Sequence, residues 1–226
     1  MTAARKKTKT RDRGTTERGG VDAVLAAAIS AFAERGYHGT SVRDLAERQG
    51  LSVAALYYHF PSKLDLLMAI MTRAMDDIIS DTEQARDEAE DDPVAKLTAI
   101  VRAHVLFHTR RQAESFVGNS ELRSLDGEYL RTILDRRDHE ERIFQEVIAE
   151  GVQAGVFDIE EPRESSRAIL AMCIHIHTWY HADGSLGAEE VADRYVALAL
   201  KQVGAPRPAD TALSARVAAE GLARGA

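Results

Sequence analysis

The stretch Ser52-Val53-Ala54-Ala55-Leu56-Tyr57-Tyr58-His59-Phe60-Pro61 ends in two phenols and an imidazole and holds no carboxylate. Hydroxyls and imidazoles can donate to phosphate oxygens or reach base edges, and alanine methyls suit thymine methyls in a groove. A second set of reactive side chains lies further on. His104 and His108 are four apart, as are His177 and His181, with His175 beside them. That spacing can hold a transition metal on one helix face, and the ordinary alternative is a core histidine satisfied by a carboxylate. His139-Glu140-Glu141-Arg142-Ile143 begins like a zinc-protease helix but lacks the second histidine. There is no Gly-rich phosphate loop and no Gly-x-Ser-x-Gly elbow, and the one cysteine, Cys173, has no activating histidine in view. Catalysis and a resident cofactor are therefore not expected.

The elements that must position the first set are short helices. Ser41-Val42-Arg43-Asp44 has the pattern of a capping box, Gly50 can take the left-handed conformation that ends a helix, and Ser52 can cap the next one. Ser62 with Asp65 restarts a helix after Pro61. Two helices joined this tightly cross steeply, as in a helix-turn-helix. In the second of them Val53, Leu56, Tyr57 and Phe60 recur at i, i+3, i+4, i+7 and are expected to pack inward against Leu25 and Phe32. Ser52, Ala54, Ala55, Tyr58 and His59 then face outward.

The first helix is expected over 21–35, with Gly36 as its stop, and further helices over 62–89, 94–111, 112–124, 127–154, 163–181 and 188–203. The fold class is all-α: an N-terminal three-helix helix-turn-helix domain plus a larger C-terminal helical domain, to which the family resemblance given below assigns ligand binding and dimerisation. The domains divide as a disordered basic arm at 1–19, the DNA-binding head at 20–64, the helical body at 65–204 and a flexible tail at 205–226.

Charge is segregated along the chain. The net charge is −7, yet residues 1–63 carry 11 Lys and Arg against 6 Asp and Glu, and the remainder carries 18 against 30. A basic head on an acidic body fits a chain that touches nucleic acid with its head alone. No apolar run is long enough for a secretory or membrane-spanning segment, and the lone cysteine suits a reducing compartment, so a cytoplasmic protein without a membrane partner is expected.

Residues 31–67, AFAERGYHGTSVRDLAERQGLSVAALYYHFPSKLDLL, resemble the DNA-binding domain of the tetracycline-repressor (TetR) family of bacterial transcriptional regulators. The likeness rests on Thr40-Ser41-Val42, Leu45-Ala46, Gly50-Leu51-Ser52, Leu56-Tyr57, His59-Phe60 and Lys63-Leu64. Gln49 stands where a small residue is usual and Leu51 where Val is usual. The resemblance implies that Arg43, Val53, Ala54, Ala55 and Tyr58 read bases or their neighbours. Thr40, Ser41, Ser52, Tyr57, His59 and Lys63 would contact or frame the phosphates. It also implies a homodimer on a palindromic double-stranded operator, because one such module buries too little surface to select a site alone.

The body bears a weaker likeness, through Trp179-Tyr180, Gly184 and Leu186, to repressors of fatty-acid and steroid catabolism, many of which respond to acyl-coenzyme A thioesters. That implies a small apolar effector that releases the operator. The expected lining combines apolar Met68, Met71, Ile78, Leu97, Ile100, Val101, Phe107, Phe116, Met172 and Trp179 with polar His104, His108, Asn119, Arg123 and His175. Arg123, Arg131, Arg136 and Arg137 offer cations for a coenzyme A head. A metal-responsive regulator using the body's histidines is the alternative. The helices at 162–181 and 188–203 are apolar nearly all round and are expected to form a four-helix bundle with their symmetry mates.

Overall fold

The computed structural model describes residues 13–205, and all the regular structure among them is helical. Helix α1 (Arg13–Arg35) begins eight residues ahead of the expected start, so the last part of the stretch read as an arm is helical; residues 1–12 and the tail from 206 lie outside the described residues. Along α1, Val24, Leu25, Ala28, Ala31 and Phe32 fall on one stripe and are buried. Gly36, at φ +74°, turns the chain out of α1 and into α2 (Val42–Arg48).

Ser41 caps α2 as a full capping box: its hydroxyl accepts from the Asp44 amide at 3.2 Å, and the Asp44 carboxylate accepts from the Ser41 amide at 3.0 Å. Gly50, at φ +61°, makes the turn, and the Ser52 hydroxyl accepts from the Ala55 amide at the start of α3 (Val53–His59). Ser62 then caps the long α4 (Lys63–Glu88). The body continues through α5 (Pro93–Arg110), α6 (Gln112–Ser120), a 3-10 turn (Glu121–Ser124), α7 (Gly127–Gln153), α8 (Pro162–Ile174), a second 3-10 turn (His175–Thr178) and α9 (Ala188–Gln202). The helix expected to reach residue 181 therefore stops at Ile174 and tightens into the 3-10 turn.

Two large apolar cores divide most of the packing, and a small third cluster of Ala74, Ile78 and Phe107 joins α4 to α5. The first joins Phe32, Leu45, Leu56 and Phe60 of the head to Leu66, Leu67, Met68 and Met71 of α4 and also takes in Val117, Leu125 and Ile133 from the body. The second packs Leu97, Ile100, Val101 and Val105 of α5 against Phe144, Val147 and Ile148 of α7, Ile169 and Cys173 of α8, and Val191 and Ala199 of α9. Arg102 fastens α5 to α9 from outside by pairing with Glu189 and Asp193. The faces of α8 and α9 are less uniformly apolar than expected. Arg163, Glu164 and Arg167 stand exposed on the first half of α8, and Glu189, Glu190, Asp193 and Arg194 on that of α9, which leaves Ala168, Ala171, Ala197 and Leu198 as exposed apolar positions beyond them.

Candidate nucleic-acid interface and inner cavity

In α3, Leu56 is fully buried and Phe60 nearly so, which anchors one side of this short helix in the head core. Tyr58 projects with 80% of its surface exposed, its ring edge-on to His59 at 5.1 Å. Ser52 and Ala54 are exposed, Ala55 and His59 are half-buried, and Arg43 and Ser41 are exposed on the neighbouring α2 end. Two residues of the expected inward stripe lie elsewhere: Val53 is 36% and Tyr57 45% exposed. A helix of seven residues needs only two anchors, and Leu56 and Phe60 already fill the space above Phe32. The structure therefore leaves Val53 and Tyr57 exposed, not packed inward against Leu25 and Phe32.

Thr40 and Lys63 differ from their expected role in another way. Thr40 is 1% exposed, and its hydroxyl donates to the carbonyls of Ala31 and Gly36 at 3.2 and 3.0 Å, tying the α1–α2 loop to the end of α1. The Lys63 ammonium donates to the carbonyls of Tyr37 and Thr40, both at 2.9 Å, and lies 4.2 Å from the centre of the Tyr37 ring. Burial lowers its pKa. These two side chains hold the loop in shape: the Thr40 hydroxyl is buried with its proton spent on carbonyls, and Lys63 keeps one of its three donors beyond the two that the loop takes. The buried carboxylate of Glu121, from the body, completes this corner by accepting from the Tyr37 amide at 3.0 Å.

Inside the body a cavity of about 250 Å³ opens between α4, α5, α6, α7 and α8. Its apolar wall includes Met71, Ala74, Met75 and Ile78 of α4, Phe107 of α5, Ile133 of α7, and Leu170, Ala171 and Ile174 of α8. Glu114, Ser115, Gly118 and Asn119 of α6 and Arg137, Glu140 and Glu141 of α7, with Arg167 of α8, supply the polar side. Met71, Ile78, Phe107 and Asn119 of the expected lining, and Arg137 of the expected cations, therefore line it. Met68 instead packs in the head core, Leu97, Ile100 and Val101 lie in the second core, and Met172 packs against that core. Phe116, Arg123, His175 and Trp179 stand on the surface, with Trp179 stacked on Tyr195 at 6.2 Å. Helical spacing reports that a residue faces inward, but it does not distinguish a packed core from a cavity.

The histidines form a packed row. His104 Nε2 lies 2.9 Å from Glu140, His108 Nδ1 lies 2.9 Å from the Ser115 hydroxyl, and the two rings are 4.7 Å apart. Both are buried behind the cavity's polar wall and touch it through those partners. Burial, with His104 and His177 nearby, pushes His108 well below the ordinary histidine range, so it is neutral at physiological pH. Among the described residues no group of three or more His, Cys, Asp and Glu side chains is arranged to hold a metal. His139, where the protease-like motif began, pairs instead with Glu83 on the neighbouring helix.

Comparison with known proteins agrees with both halves of this architecture. The profile described as bacterial regulatory proteins, tetR family, matches residues 24–70, and that described as tetracyclin repressor-like, C-terminal domain, matches residues 90–203. The chain belongs to the TetR family. It is a helix-turn-helix DNA-binding regulator of that family. Among its relatives is the HTH-type transcriptional repressor KstR2 of Mycolicibacterium smegmatis, 28% identical over 184 residues that cover 79% of this chain and 88% of that one. A tetR-family regulatory protein from Rhodococcus RHA1 superposes with a TM-score of 0.78 at 30% identity, over 83% of this chain and 98% of that one. AibR in complex with isovaleryl coenzyme A and operator DNA superposes with a TM-score of 0.73 at 29% identity, over 79% and 97% of the two chains. No helix among the described residues is long and apolar enough to cross a membrane.

Proposed function

We propose that this TetR-family regulator is a homodimeric repressor that a compact apolar effector, such as the acyl group of a coenzyme A thioester, releases from a palindromic operator. One observation carries the reading: α4 has its first turns in the head core, through Leu66, Leu67 and Met68, and its next turns, through Met71, Ala74 and Ile78, in the cavity wall. A rigid helix shared by both sites lets an occupied cavity favour a different head position. Release then requires a tighter fit of the effector to the state whose two α3 helices no longer match groove spacing.

The reading is supported by relatives that carry both activities in their descriptions: KstR2 is a transcriptional repressor, and AibR was solved with isovaleryl coenzyme A and operator DNA. The cavity's size agrees. At roughly 30 Å³ per water, its volume of about 250 Å³ accommodates a short acyl group and not the coenzyme A head. The dimer rests on the exposed apolar positions of α8 and α9, Ala168, Ala171, Ala197 and Leu198, with Trp179 close by, which a second copy would cover. The buried partners of His104 and His108, Glu140 and Ser115, favour structural roles for these two over metal sensing. Arg43, Ser52, Val53, Ala54, Ala55, Tyr57, Tyr58 and His59 form the proposed DNA-contacting set.

The test is fluorescence anisotropy with duplexes flanking the protein's own gene, titrated with short-chain acyl-coenzyme A thioesters and with free coenzyme A. Salt-dependent binding to one duplex with palindromic symmetry, reversed by a thioester and not by free coenzyme A, is the expected result. Binding that no thioester alters would remove the coenzyme A thioester from the proposal.

A further inference from the structure

Every carboxylate in the cavity wall already has a partner. Glu114 pairs with Arg111 at 3.3 Å, Glu141 with Arg167 at 2.9 Å, and Glu140 with His104 at 2.9 Å. Arg137 is the remaining cation of the lining, and among the described residues no carboxylate lies within ion-pairing distance of it. One of its nitrogens, Nη2, donates to the Gly118 carbonyl and to Asn119 Oδ1, both at 3.1 Å. Gly118 belongs to the last turn of α6, whose carbonyls have no partner within the helix, so this contact fixes the guanidinium as a cap on that end. Asn119 is held in turn by donating to the Ser115 carbonyl at 2.8 Å. The other two nitrogens have no hydrogen-bond partner among the described residues.

A guanidinium keeps its charge in any surroundings, and Arg137 is half-buried in the cavity wall, so its two free nitrogens stay open to an acceptor that enters the cavity. Burial lowers the pKa of Arg137, the effect expected when water is withdrawn without a counter-charge supplied in full. Glu140, one turn further along α7, favours the charged form from a distance but is itself engaged by His104. The missing partner is a planar acceptor of opposite charge, which a guanidinium fork meets with two parallel hydrogen bonds.

We infer that Arg137 reads a carboxylate carried into the cavity on a compact apolar body, so that the effector is an acid within the pocket and not merely a hydrocarbon. This rests on the effector reading given above and narrows its chemistry. The carboxylate can come from a free acid or from the far end of a dicarboxylic acyl thioester; the shared chemistry is a carboxylate on a short branched or cyclic carbon frame. Met71, Ala74 and Ile78 would cover that frame from one side and Leu170 and Ile174 from the other.

The test compares matched probes by thermal shift and calorimetry on the full chain and on Arg137→Gln and Arg137→Lys. The pairs are isovalerate with isovaleramide, cyclohexanecarboxylate with its carboxamide, and 3-methylglutaryl-coenzyme A with isovaleryl-coenzyme A. In the native protein the carboxylate member of at least one pair should bind roughly ten- to a hundred-fold more tightly than its neutral partner, the span expected for hydrogen bonds to a charged group. Arg137→Gln should erase that preference, and Arg137→Lys should retain part of it. The free acids and the glutaryl thioester tell the two sources apart. Equal binding within every pair, or a preference that survives in Arg137→Gln, overturns the assignment of Arg137 while leaving the effector reading in place. A native protein indifferent to all six probes overturns both.

Discussion

Replacing Tyr58 by alanine separates an outward reading helix from a packing helix. The side chain is 80% exposed and makes no hydrogen bond to the rest of the described chain, its one ring neighbour being adjacent His59. Surface changes of this kind leave stability within about 0.5 kcal/mol. Deleting a side chain that touches a base or its backbone costs the complex on the order of 1 kcal/mol or more. A two-fold complex bears that cost at both half-sites, so operator affinity should fall by about 2 kcal/mol, roughly thirty-fold. Leu56→Ala provides the contrast: that side chain is fully buried, and truncation should cost about 2–5 kcal/mol of stability. The assay is anisotropy on the cognate duplex, paired with chemical denaturation of each free protein. An unfolding midpoint for Tyr58→Ala displaced as far as that of Leu56→Ala would refute the outward placement. Unchanged operator affinity would remove Tyr58 from the interface.

Two further outcomes follow from the head's internal contacts. Lys63→Ala removes two bonds to loop carbonyls and the contact with the Tyr37 ring, so it should destabilise the free protein by roughly 1–3 kcal/mol; denaturation without DNA reads this, and an unaltered midpoint would return Lys63 to a purely phosphate-binding role. Asp65 accepts from the Tyr129 hydroxyl and the Ser62 hydroxyl, both at 2.7 Å, and these bonds hold its pKa below the ordinary carboxylate value. Its contribution is complete above the unfolded pKa of about 3.9 and is lost as pH falls through the depressed folded value. Asp65→Asn should therefore lower stability at neutral pH and flatten the acid limb below about pH 4, and an unchanged limb in pH-dependent denaturation would contradict the assignment.

The head was legible because its signals are local. Ser41 with Asp44, Gly50, Ser52 and Ser62 act within three or four residues of themselves, and each sits in the structure where capping and turn chemistry require. Val53 and Tyr57 were harder, because a seven-residue helix completes only two turns and its periodicity fits more than one face. Thr40 and Lys63 look like surface polar residues in a loop and at a helix start. Thr40 has one local partner, the Gly36 carbonyl four positions away, but its other partner and both of those of Lys63 are carbonyls 9 and 23 to 26 positions away, which no local pattern discloses. The cavity was least legible, since its polar side joins Ser115 and Asn119 to Arg137 and Glu140 across a turn between α6 and α7. Arginine without a nearby carboxylate in the fold is the signal that mattered there, and it exists only in three dimensions.

Val117, Leu125 and Ile133 share one core with Phe32 and Leu56, and Glu121 reaches from the body to the Tyr37 amide. Cutting the chain after the helix-turn-helix would strip that core of α4 and of its body wall and leave Phe32 and Leu56 without their cover. Chimeras that graft this reading head onto another regulator's sensor must therefore bring along α6 and the first turns of α7, or rebuild their apolar contacts, before the hybrid can be expected to fold.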